Sequence, residues 1–204
     1  KTGAVTFIGT VSPAGGNLKE PVTESTKKAA RCFYALEQNR ADQKRYPAVN
    51  PIDSYSKYLE YPEIREFLDE KIEKGWADKV NRAKNIIRQG RDASEQINIL
   101  GDDGVPMSYH ETFWKSELMD FVFLQQDAFD AVDSLCPLER QKFMMNLVLD
   151  VCDKKFSFEN FEQCRNFFKE INNDLRQMNY SEFHSEAFEN YNAKLSKLLE
   201  ENGK

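Results

Sequence analysis

Apolar positions recur at steps of three and four through the last third of the chain. Met144, Leu147, Val148, Val151 and Cys152 form one stripe. Phe161, Cys164, Phe167, Phe168, Ile171, Leu175 and Met178 form a second, and Phe188, Tyr191, Leu195 and Leu198 a third. Such spacing gathers apolar side chains on one face of an α-helix. All seven prolines lie at or before Pro137, and the only glycine after Gly104 is Gly203. Residues 138–204 therefore hold no interior breaker and are predicted to be almost entirely helical. The third stripe has too few heptad-like steps for a coiled coil.

Upstream, more helices are legible. Thr23 or Ser25 is placed to cap a helix running to about Asn39, with Ala29, Ala30, Phe33 and Leu36 on one side. Pro62 suits a first helical turn, followed by Ile64, Phe67, Leu68 and Ile72. Trp76, Val80, Ala83 and Ile87 continue beyond Gly75. Gly101-Asp102-Asp103-Gly104 reads as a turn closed by Pro106, and Phe113, Trp114, Leu118, Phe121 and Val122 mark the next helix. One segment differs. Ala4-Val5-Thr6-Phe7-Ile8 is β-rich and almost continuously apolar, as a strand buried on both faces is. A loop and a helix follow it, which makes half of a βαβ unit. No second strand of that quality follows, and a parallel strand without neighbours leaves its backbone groups unpaired. The expectation is the end of an α/β domain whose sheet lies upstream, then a helical domain.

Composition narrows the class. Of 204 residues, 40% are apolar and 30% charged, too apolar for a disordered tail. No run approaches the roughly 20 apolar residues of a membrane span. The opening Lys1-Thr2-Gly3-Ala4-Val5 lacks a signal-peptide layout. Net charge is −6, and the bases between Lys71 and Arg91 are interleaved with acids. A solvated helix face is the plainer reading there than a nucleic-acid surface. Cys32, Cys136, Cys152 and Cys164 form no C-x-x-C pair, and His110 and His184 lie far from them. No metal site and no disulfide framework is expected, and a reduced, intracellular setting fits.

Three blocks, in order, carry a resemblance. The first is Gly3-Ala4-Val5-Thr6-Phe7-Ile8-Gly9-Thr10-Val11-Ser12-Pro13-Ala14-Gly15-Gly16 with Glu20-Pro21-Val22-Thr23. The second is Tyr46-Pro47-Ala48-Val49-Asn50-Pro51-Ile52-Asp53-Ser54. The third is Leu124-Gln125-Gln126-Asp127-Ala128-Phe129-Asp130-Ala131-Val132-Asp133. Together they resemble the C-terminal part of the catalytic A subunit of V-type and archaeal A-type rotary ATPases, over about residues 3–155. The glycine pair and the E-P-V-T stretch are closer to the A subunit than to the non-catalytic B subunit. Tyr46-Pro47 and Asn50-Pro51 depart from that family's usual F-P and N-W, towards the β subunit of F-type synthases. Asn17 stands where Asp is common.

The resemblance implies a mainly α chain: a C-terminal helical bundle over 61–204, preceded by the last strand–loop–helix piece of a P-loop α/β nucleotide-binding domain over 1–60. It implies an adenine pocket walled by Tyr46, Pro47 and Phe129, with Ala128 leaving room for the base and Gln126 supplying an edge contact. From the residues alone, Tyr46 and Phe129 read more plainly as aromatics plugging the helical core. No G-x-x-x-x-G-K-S/T phosphate loop and no Walker-B strand occurs here, so no catalytic residue is assigned. The Gly15-Gly16 loop reads as a flexible connector, which the resemblance turns towards the rotor shaft or a neighbouring subunit. Asp102, Asp103, Asp127, Asp130 and Asp133 read as surface acids, since they lack an EF-hand's alternation.

The implied activity is ATP hydrolysis or synthesis coupled to proton or sodium translocation, with ATP or ADP and magnesium in the complete subunit and none bound tightly to this piece. The implied partners are non-catalytic B subunits and the central rotor stalk, without nucleic acid or membrane insertion, in a cytoplasmic head peripheral to the membrane. The reading of a different class is an independent helical module that binds a partner protein.

Overall fold

The computed structural model describes residues 3–203. Lys1, Thr2 and Lys204, which begin and end the expected divisions, lie outside the described residues. The first helix, α1, spans Pro21–Ala29, with Glu20 at its N-cap and Pro21 in the first turn. The fixed φ of proline suits that position, and its missing N–H would have had no helical partner. Neither Thr23 nor Ser25 is the cap. Thr23 is buried inside the helix, its hydroxyl donating to Glu20 Oε1 at 2.9 Å.

The helix expected to reach Asn39 stops at Ala29. Beyond it, β1 (Cys32–Phe33) pairs antiparallel with β2 (Tyr55–Ser56). A bridge joins Leu36 to Val49, and Ala35 and Glu37 exchange backbone hydrogen bonds with the 48–50 loop. Pairing with residues 48–56 outweighs a helical preference worth only tenths of a kcal/mol per residue. A short helix α2 (Gln38–Asp42) follows.

The strand expected at Ala4–Ile8 does not form. Residues 3–13 are neither helix nor strand, and Val5 is 97%, Phe7 92% and Ile8 87% exposed. No described segment offers a ladder to it, so its apolar side chains stay in water.

From residue 62 onwards the periodic reading holds. α3 is Pro62–Lys71, α4 Trp76–Leu100, α5 Met107–Leu118, α6 Leu138–Asp153, α7 Phe161–Asn179 and α8 Glu186–Asn202. Gly75 and Gly101, with φ near 80°, start and stop α4 in a backbone conformation that suits glycine. α5 continues into a wider π-helical turn, Met119–Leu124.

Two loops without glycine or proline interrupt 138–204. They end where Asn160 and Ser185 cap the next helix, accepting from Gln163 N–H and Phe188 N–H. In the first loop Phe156 and Phe158 turn inward onto Phe167 and Phe168, ring centroids 4.9–6.1 Å apart. That apolar burial keeps the backbone from continuing as helix.

α4 and α5 form an antiparallel hairpin, α5 packs on α7, and α7 packs on α8. Leu118, Val148, Phe168, Ile171, Leu175 and Phe188 sit in the core they share. Among the described residues no helix is long and apolar enough to cross a membrane.

Candidate functional site

The 38–53 segment lies across the end of α5. Arg40, almost fully buried, makes a two-pronged ion pair with Asp120 at 2.8 and 2.9 Å. Arg45 reaches the same carboxylate at 2.5 Å and holds Glu117 through its two terminal guanidinium nitrogens at 2.8 and 3.1 Å. Its guanidinium also lies over the Phe121 ring, 4.3 Å from the centroid. Two guanidinium forks on two carboxylates offset the cost of burying Arg40 and Asp120 and half-burying Arg45 and Glu117. Beside this cluster is a cavity of about 520 Å³, lined by Asn39, Gln43, Asn50 and Ser94 among others.

The next residue, Tyr46, meets the loop after the π-helical turn: Gln126 N–H donates to Tyr46 carbonyl oxygen at 2.8 Å. The second and third sequence blocks, 80 residues apart, are thus side by side. Tyr46 and Pro47 are exposed, joined by a cis peptide bond. Ala128 and Phe129 are exposed as well, and Phe129 is fully so. Neither aromatic plugs the helical core. The Gln126 side chain turns inward, Nε2 donating to Asp133 carbonyl oxygen at 2.7 Å.

The acids of this loop hold its own backbone. Asp133 Oδ2 accepts from Asp127 N–H at 2.6 Å, Asp127 Oδ1 from Phe129 N–H at 2.9 Å, and Asp130 Oδ1 from Val132 and Asp133 N–H at 2.8 Å. Burial raises the Asp133 carboxyl above the usual range, against the pull of the Asp127 N–H. No group of three or more His, Cys, Asp or Glu could hold a metal ion among the described residues. The acids of this loop are engaged with its own backbone and offer magnesium no ready ligand set. The Cys152 and Cys164 thiols, pushed up to about 12 by burial, are packing groups rather than nucleophiles.

Periodicity missed Arg40, Arg45, Glu117 and Asp120. One signal was available: Asp120 interrupts an otherwise apolar run from Leu118 to Leu124, where a charge needs a partner from elsewhere.

Comparison with known proteins gives two family matches. Residues 1–56 match the model of the ATP synthase alpha/beta family, nucleotide-binding domain. Residues 65–165 match that of the C-terminal domain of V and A type ATP synthase. The chain belongs to the V- and A-type ATP synthase family. Its relatives include the V-type ATP synthase alpha chains of Chlamydia caviae and Chlamydia pneumoniae, each 39% identical over 198 residues, or 97% of this chain and 33% of the relative. The chain thus spans about a third of the length of the curated relatives it matches. Those alignments run on through α7 and α8, where the residues alone offer no recognisable motif. A solved ATP synthase subunit, NeqB of Nanoarcheaum equitans, superposes with a TM-score of 0.53 at 15% identity, over 69% of this chain and 33% of that one. At that identity the likeness speaks for the fold.

Proposed function

We propose that this chain is the C-terminal part of the catalytic subunit of a rotary ATPase, and that it supplies the adenine side of the nucleotide pocket and the helical domain that moves with it. The observation that carries this reading is the hydrogen bond from Gln126 N–H to Tyr46 carbonyl oxygen, which sets two exposed aromatic loops next to each other. Phe129 is fully exposed and Tyr46 about half exposed, and a purine face complements an aromatic ring left in water. Pro47 stiffens one loop, and Ala128 keeps the other free of bulk beside Phe129. With its amide committed to Asp133, Gln126 shapes the loop more than it reads the base.

In the assembled enzyme, ATP or ADP with magnesium binds across this surface and a phosphate loop from outside these residues. Hydrolysis or synthesis is coupled there to proton or sodium movement. Non-catalytic B subunits and the central rotor stalk are the partners, and the head is cytoplasmic and peripheral to the membrane. The exposed apolar segment at Val5, Phe7 and Ile8 supports assembly, since an unpaired β-prone segment of that character pairs readily with a neighbouring sheet edge.

The test is Tyr46→Ala and Phe129→Ala in the assembled enzyme. Each should weaken nucleotide binding by about 1–3 kcal/mol and change the chemical step less, because stacking lies far from the γ-phosphate. Unchanged nucleotide affinity in both variants refutes the adenine assignment.

A further inference from the structure

Resting on the adenine reading above, the geometry points to Asp120 as the positioning residue that sets the gap between the two aromatic loops. Its carboxylate Oδ2 accepts from Arg45, whose next neighbour in the chain is Tyr46. Its backbone carbonyl oxygen accepts from Gln125 N–H at 2.9 Å. The next residue, Gln126, donates its N–H to Tyr46 carbonyl oxygen at 2.8 Å. These links close a small ring: Asp120 to Arg45 to Tyr46, across to Gln126, and back through Gln125. These hydrogen bonds tie the Tyr46 and Gln126 backbones to one residue, Asp120.

Two further contacts stiffen it. Arg40 binds both oxygens of the Asp120 carboxylate, and the Phe121 ring lies against the Arg45 guanidinium. The cluster also joins the two family-matched regions, since Arg40 and Arg45 fall within residues 1–56 and Asp120 within 65–165. A buried ion cluster adds little net stability over apolar residues of the same volume. What it supplies here is one fixed spacing between loops that come from distant parts of the chain. The π-helical turn that carries Asp120 puts its carbonyl and its carboxylate to separate uses, one on each loop.

The experiment compares turnover of ATP with that of CTP, whose smaller base fills the gap less, in the assembled enzyme. Tyr46→Ala and Phe129→Ala serve as reference variants. Asp120→Asn keeps the shape and removes the charge. It should lower the ATP-over-CTP preference in kcat/KM by about tenfold, carried by the KM for ATP, while kcat for both nucleotides stays within about threefold. Arg45→Gln removes the link from Asp120 to the Tyr46 loop, leaves the Arg40–Asp120 pair in place, and should show a drop at least as large in the same direction. It carries the test if Asp120→Asn does not assemble. A purely structural role would lower turnover of both nucleotides alike and leave the preference where it was. That result, with the preference lost in the two aromatic variants, overturns the assignment of Asp120 and leaves the adenine reading standing. Preference retained in both aromatic variants overturns the adenine reading, and the role of Asp120 with it.

Discussion

At the scale of single residues, close approach decides more than composition does. Gly90 on α4 faces Ser116 on α5, and a Cβ at Gly90 would lie 2.0 Å from the Ser116 Cβ. The two helices would have to part. Gly90→Ala gains up to about 1 kcal/mol of helix propensity but forces an overlap costing typically 1–3 kcal/mol or more. At 2.0 Å the overlap wins. Denaturant unfolding should show Gly90→Ala less stable by about 1–2 kcal/mol, the overlap cost less the propensity gain. Adding Ser116→Gly should recover part of the loss, and a double-mutant cycle without coupling would contradict this contact. Helical periodicity marks Ile87 as a core position, but not Gly90, because a glycine has no side chain to enter the pattern. The exposure of Tyr46 and Phe129 is equally silent in the sequence, where an aromatic beside apolar residues reads as core.

At the scale of elements, the caps and one polar tie carry testable weight. Asn160 Oδ1 accepts from Gln163 N–H at 2.9 Å to start α7. Asn160→Ala should cost about 1 kcal/mol, read as a lower thermal midpoint with helix content otherwise retained.

Glu73, between α3 and α4, is held by Asn146 of α6 at 2.9 Å and by Lys79 at 2.9 Å. These partners, the Asn146 amide first, lower its carboxyl below the usual 4.5. A lowered folded value means the tie is at full strength above the unfolded pKa and fades as pH falls through the folded one. Glu73→Gln should therefore lower the thermal midpoint at neutral pH, and the gap to the unaltered protein should close in acid below the folded value. A gap that persists unchanged at that pH would contradict the ion-pair account.

The stripes named α3 through α8 because each buries one face. The end of α1 was illegible, because what stops it is pairing with residues 48–56. The loops at 154–160 and 180–185 carried no breaker. Their signal was instead the pair of caps, Asn160 and Ser185, each placed just before an apolar stripe.

At the scale of the whole molecule, the helical part should fold without the residues before it. A chain beginning at Tyr61 retains the shared core of α4 to α8 and loses Arg40, Arg45 and the packing of Ile52. It should melt cooperatively with helical circular dichroism, at a lower midpoint than the full 204 residues. A broad, non-cooperative melt would contradict it. Nucleotide binding scales differently. Two stacked aromatics give roughly 2–6 kcal/mol gross, against an association cost of about 4–15 kcal/mol. A millimolar dissociation constant already needs about −4 kcal/mol net. This chain alone should bind ATP no tighter than millimolar and should not hydrolyse it. Micromolar binding by calorimetry would show that its residues hold more of the phosphate site than proposed here.

The sequence by itself determined the helices from Pro62 to Asn202, since apolar periodicity reports directly which face must leave water. Through its three blocks it also pointed to the family. It determined that Ala4–Ile8 is apolar and β-prone, but not that the segment forms a strand, because a strand is a property of its neighbours. Only the tertiary structure decided that Tyr46 and Gln126 touch and that Asp120 joins Arg40 and Arg45. Those contacts span some 80 residues, and no local pattern encodes a partner so far along the chain.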